Sequence, residues 1–174
     1  MMAMWLITRV SLCSPCNSRE SSSMKDAILR LRPPRIAIFL VAVASLWHSF
    51  APVVRLSPFS CPGCAVAALT AGFGVMMWAW GEFRREKNPI CPTADPVTLV
   101  RSGPFRFSRN PMYPGMELML LAPFLWSGSL FFFLAPAVFL GIMHFIFIPY
   151  EEQRLNHSFK EDYNAYRAQV RRWV

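Results

Sequence analysis

Tyr150-Glu151-Glu152 sets two adjacent carboxylates at the end of an apolar run, residues 129–149. Carboxylates at a membrane boundary are costly unless water or partner groups reach them. They can also accept hydrogen bonds from sugar hydroxyls or an ammonium group. The second concentration of chemistry is Thr98-Leu-Val-Arg-Ser-Gly-Pro-Phe-Arg-Phe-Ser-Arg-Asn-Pro-Met-Tyr-Pro-Gly115, polar and basic and ending at a helix start. Pro111 and Pro114 fit near a helix N-terminus, where a missing N–H costs little. Such a terminus beside Arg106 and Arg109 holds anions such as carboxylate or phosphate, although pairing with lipid headgroups is the plainer use of the same charge. Glu117, one turn past Tyr113, is expected to pair with Arg106 or Arg109, or else to face water in the pocket. His144, seven residues before Glu151, shares its side of a helix and is either a functional group or a hydrogen-bonded packing residue. His48 and His157 read as structural.

Apolar elements must position these groups. The chain is 54% hydrophobic with a net charge of +8, a combination common in multi-spanning membrane proteins and rare in soluble domains. The basic residues lie between apolar blocks and form no aromatic-basic recognition module, so the charge is not read as a nucleic-acid footprint. Residues 36–54, 64–81 and 129–149 contain no Asp, Glu, Lys or Arg. A spanning helix needs roughly 20 apolar residues. Residues 113–126 are too few for a full crossing and contain Glu117, so they read as one arm of a tight hairpin turned at Ser127-Gly128-Ser129. The expected fold is all-α: an integral membrane bundle of about four helices, near 36–54, 64–83, 113–126 and 129–150. An amphipathic cytoplasmic helix follows, with Leu155, Phe159, Tyr163, Tyr166 and Val170 recurring at helical spacing. Four crossings put the basic segments before the first helix, after the second and after the last on one face. The excess of lysine and arginine makes that face, and both termini, cytoplasmic.

Residues 1–23 read as a disordered leader or an extension before a start at Met24, with residues 24–174 as the membrane domain. Cys13/Cys16 and Cys61/Cys64 have the spacing of zinc ligands. The topology sets the pairs on opposite faces of the bilayer, so no metal is expected. Cys61-Pro-Gly-Cys64 reads as a turn entering the second helix, with a disulfide or redox exchange as the alternative.

Four fragments carry a resemblance: Leu-Val-x-Ser-Gly-Pro-Phe-Arg, then Arg-Asn-Pro-Met-Tyr-x-Gly, then Glu-Glu, then Phe-x-x-x-Tyr-x-x-Tyr-x-x-x-Val-Arg-Arg-Trp. In this order they resemble the isoprenylcysteine carboxyl methyltransferase family, a branch of the group that contains phospholipid methyltransferases. The match covers residues 88–174; the first two helices match only in hydrophobic pattern. The resemblance implies a helical membrane enzyme without a Rossmann domain, binding S-adenosylmethionine in its C-terminal half. In agreement, no glycine fingerprint follows a strand, and Gly72-Phe-Gly74 sits inside a helix. The implied cofactor residues are Thr98, Leu99, Val100, Phe105, Asn110, Pro111, Met112, Tyr113 and Glu151, and the implied catalytic residues are Arg109 and Glu152. The family often has histidine where this chain has Asn110, which cannot titrate. Members acting on prenylated proteins carry an arginine where this chain has Phe147.

Methyl transfer from a sulfonium is an in-line displacement that needs alignment and a dry site. A carboxylate acceptor is already ionised and needs no general base, whereas an amine must lose a proton, to Glu151, Glu152 or His144. The expected substrate is a lipophilic or lipidated molecule entering from the membrane, most simply an isoprenylcysteine-like carboxylate. Competing readings are an NADPH-dependent reductase of the sterol type, which has a similar Arg-His-Pro-x-Tyr segment, and a non-catalytic membrane scaffold.

Overall fold

The computed structural model describes residues 32–50, 60–86 and 98–173. Helix α1 spans Pro33–Phe50 and begins three residues before the expected start. Pro33 and Pro34 are the cause: at the first helical positions proline gives up only N–H groups that have no intrahelical partner. The expected end at residue 54, like the segment 1–23 with Cys13 and Cys16, lies outside the described residues.

Helix α2, Pro62–Arg85, starts at a Cys61 N-cap whose sulfur accepts the Cys64 N–H at 3.2 Å. The turn entering the helix is as expected, and a Cys61–Cys64 disulfide closes it. Helix α3, Met112–Ser127, lies against α2 so closely that a methyl group on Gly72 would stand 2.5 Å from the Gly115 carbonyl oxygen. Only two facing glycines let backbones approach this far, the small-residue contact by which helices associate inside lipid. Gly72 therefore serves packing, within a helix as expected. Gly128 stops α3 in the left-handed conformation (φ 66°), its N–H reaching Phe124 O at 2.7 Å, and the chain turns back at once into α4, Leu130–Ile142. The third and fourth helices form the anticipated tight hairpin. Buried Ser129 sits at its base with its hydroxyl 3.2 Å from His48 Nδ1 of α1, a structural use of that histidine.

From Leu130 the helix does not stop at the membrane boundary. A π-helical turn at Met143–Phe147 leads directly into α5, Ile148–Gln169, giving one run of 40 residues. The amphipathic C-terminal helix exists, but it continues the last apolar helix, and its break comes at Lys160 (φ 33°). Tyr163 and Tyr166 face inward, as the apolar spacing requires.

The core joins Ile36 of α1, Tyr113 and Leu120 of α3, Phe139 of α4, Met143 and Phe147 of the π turn and Ile148 of α5. Around it, large apolar side chains point outward: Phe39 is 65% exposed and Phe145 77%, with Trp47, Phe73 and Trp78 also bare. A band of this kind is stable only in hydrocarbon. Pro33–Phe50, Pro62–Arg85 and the Leu130–Gln169 run are long and apolar enough to cross a membrane. The protein is an integral membrane protein of all-α architecture.

Candidate functional site

The loop before α3 and the beginning of α5 meet at the end of the apolar layer. The fold that brings them together is local on one side and distant on the other. On the local side a 3-10 turn, Gly103–Arg106, folds Phe105 under the loop, where it joins Val100 and Ala79 in a small core with Phe83 and Met112 at its edge. Pro111 caps α3, and Tyr113 rises from the first turn of that helix into the main core. On the distant side, residues 170–173 leave α5 in extended form and run back beside the loop. Ser108 and Arg171 form a parallel β-bridge, and Arg109 N–H donates to Arg171 O at 3.0 Å.

Two linked groups result. Tyr113 Oη donates to Glu151 Oε1 at 2.7 Å, joining α3 to α5. One residue on, Glu152 receives Arg109 Nη1 at 2.8 Å and Arg172 Nη2 at 2.6 Å. Arg172 Nε adds a further hydrogen bond to Glu152 at 3.1 Å, so that pair is bidentate. These hydrogen bonds raise the Arg172 guanidinium above its ordinary basicity. The Arg109 and Glu152 side chains are each only 10% exposed, and Arg109 also donates to Tyr163 Oη at 3.2 Å. Arg109 Nε, however, is buried with no hydrogen-bond partner among the described residues. A buried guanidinium N–H of this kind fits an incoming anionic oxygen.

Most of the expected site residues converge here. Arg109, Glu152, Tyr113 and Glu151 are in direct contact in their pairs, and Asn110 holds the extended C-terminal segment through Nδ2 to Arg172 O at 3.2 Å. Val100, Phe105 and Met112 pack together one layer away, below the loop. Thr98 is tied to the end of α2 by its hydroxyl on Glu86 O at 3.4 Å, and Leu99 is half-buried beside it. One pairing differs from expectation. Glu117 is not paired with Arg106 or Arg109: its Oε2 is buried without a hydrogen-bond partner among the described residues, while Arg109 is taken by Glu152. His144 takes the packing alternative expected for it, its Nδ1 accepting Trp173 Nε1–H at 3.2 Å while the two rings stack.

Arg172, Tyr163 and Trp173 were not foreseen as site residues. Tyr163 was visible as part of the amphipathic stripe, and Arg172 and Trp173 belong to the final motif fragment, yet nothing in their spacing shows that the chain turns back. Glu82 was missed outright: buried on α2, it accepts Ser102 Oγ at 2.8 Å and fixes the start of the 3-10 turn.

Comparison with known proteins gives the context. No solved structure matches. An uncharacterized protein of Haemophilus influenzae is 35% identical over 63 residues, which is 36% of this chain and the whole of that protein. The sequence pattern of a membrane methyltransferase family, described as phospholipid methyltransferase, matches residues 62–162, from the start of α2 to the kinked part of α5. With that match spanning more than half its length and both carboxylates of the site inside it, the chain belongs to the phospholipid methyltransferase family.

Proposed function

We propose that the chain transfers the methyl group of S-adenosylmethionine to a lipophilic acceptor drawn from the membrane, and that the reaction is carboxyl O-methylation of an isoprenylcysteine-like molecule. The observation that carries this reading is the Tyr113–Glu151 hydrogen bond set against the Arg109–Glu152–Arg172 cluster at the end of the apolar layer. Thr98, Leu99, Val100, Phe105, Asn110, Pro111, Met112, Tyr113 and Glu151 would hold the cofactor, which supplies an electrophilic methyl group when bound.

The protein's own share of the work is positioning. Glu152 and Tyr163 fix the Arg109 guanidinium through Nη1, and its buried Nε–H, without a partner among the described residues, is the donor we assign to an anionic oxygen. An acceptor carboxylate held there is oriented without being protonated. The same role falls to Arg109 because Phe147, in the position where prenyl-directed relatives carry arginine, is fully buried in the core. The choice of a carboxylate over an amine follows from the proton acceptors. Glu151 accepts from Tyr113, Glu152 from two arginines and His144 Nδ1 from Trp173, so each is already engaged. An ionised carboxylate needs none of them. Family membership favours methyl transfer over nicotinamide-dependent reduction.

Calorimetric titration of the detergent-purified protein with S-adenosylmethionine, with NADPH as control, tests the cofactor. Saturable binding of the first alone is expected, weakened in Glu151→Gln. Labelled methyl transfer to an N-acylated farnesylcysteine tests the acceptor: the product should release its label in mild alkali, as an ester does. NADPH binding alone would restore the reductase reading, and silence from both ligands would leave a scaffold.

A further inference from the structure

Arg106 and Arg109 sit three residues apart, yet they serve different places. Arg109 turns into the Glu152 cluster, whereas Arg106 lines a separate cavity of about 250 Å³ between the 3-10 turn and the end of α5. Its other walls are Arg101, Tyr166, Gln169 and Val170. The Arg106 side chain makes no hydrogen bond or ion pair among the described residues, so its whole fork of donors is available. Arg101 is held at one corner, where Nη2 donates to Asp162 O at 2.9 Å and Oδ1 at 3.1 Å. That contact engages Nη2 alone. Asp162 is mostly exposed and is not a wall of the cavity, so its pairing with Arg101 is screened by water. Tyr166 is rigid, its hydroxyl donating to Phe105 O at 2.6 Å. Two arginines lining one concave space, beside an exposed Phe107, fit a compact oxyanion bearing several acceptor oxygens.

We propose that this cavity binds a phosphoryl group, clamped between Arg101 and Arg106, at a site distinct from the methyl-transfer centre. Two sources share that chemistry: the headgroup of an anionic lipid, which the neighbouring apolar band would present, and free phosphate. The site does not depend on the methyltransferase reading.

The test uses the full chain in non-ionic detergent. Calorimetry would follow titration with dihexanoyl phosphatidylglycerol and, separately, with inorganic phosphate. Saturable binding is expected, weakened about tenfold by Arg106→Ala or Arg101→Ala, as loss of a charge-assisted pair implies. Arg35→Ala removes an equal charge from α1 and should change affinity less than twofold. Binding of the short-chain lipid without competition from phosphate assigns the site to headgroups; competition by millimolar phosphate assigns it to soluble phosphoryl groups. Equal weakening by Arg35→Ala and Arg106→Ala would overturn the proposal in favour of diffuse surface charge, as would unchanged affinity in Arg106→Ala. S-adenosylmethionine titration of the same samples reports on the transfer site independently, so the two readings can fail separately.

Discussion

Glu152 is held by two arginines in a nearly dry setting, and that fixes what its loss should do. Glu152→Gln leaves Arg109 buried with its main counter-charge gone, and breaking a buried pair in this way costs about 3–5 kcal/mol. Thermal unfolding in detergent should show a large drop. Arg172→Met, which leaves the Arg109–Glu152 pair in place, should show a clearly smaller one. Tyr113→Phe is the complementary case. It deletes one hydroxyl and keeps the ring in the core, so stability should fall by only about 1 kcal/mol. Cofactor affinity should fall roughly tenfold if the bond to Glu151 shapes the pocket, as titration would show. Glu151 could be singled out as a carboxylate ending an apolar run and Arg109 as a cation beside a helix start, whereas Tyr113 came from the resemblance of its Arg-Asn-Pro-Met-Tyr fragment. Arg172 could not. It meets Glu152 across a return of the chain, and a contact made by an extended segment leaves no periodic trace.

At the scale of elements, the apolar runs predicted α2, α3 and the hairpin to within two residues at each end, because uncharged length and a Gly128 stop are local properties. The end of the last helix was misjudged for the opposite reason. The change from apolar to polar composition at Tyr150 marks where the surroundings change, not where helical hydrogen bonding ends. The chain stays helical through a π turn, a device often found beside functional sites, and this turn sets Glu151 and Glu152 after a slight shift of register. Two predictions belong here. Gly115→Ala would put a methyl group 2.9 Å from the Gly72 carbonyl oxygen, forcing α2 and α3 apart at a cost of about 1–3 kcal/mol, seen as a lower unfolding midpoint. Lys160→Gly should raise that midpoint, by relieving about 1 kcal/mol of strain, because φ 33° is strained for any residue with a side chain.

Taken whole, the molecule is a thin helical bundle clothed in exposed phenylalanine and tryptophan, with the charged groups gathered at one end of its longest helix. Such a body should stay with membranes through high-salt and alkaline washes and leave only with detergent. If the basic segments share a face, as we propose from the charge distribution, reporters fused at either terminus should both respond as cytoplasmic. The return of residues 170–173 onto the loop has a further consequence, in the time order of biosynthesis. By the time residue 150 has been added, every apolar stretch has been synthesised. The ion cluster at Glu152 nevertheless lacks Arg172, and His144 still lacks the indole that will cover it. Insertion and competence are therefore separate events in the life of the chain: a nascent polypeptide already committed to the membrane carries an unfinished site until its last helix has been made and the segment beyond it has folded back.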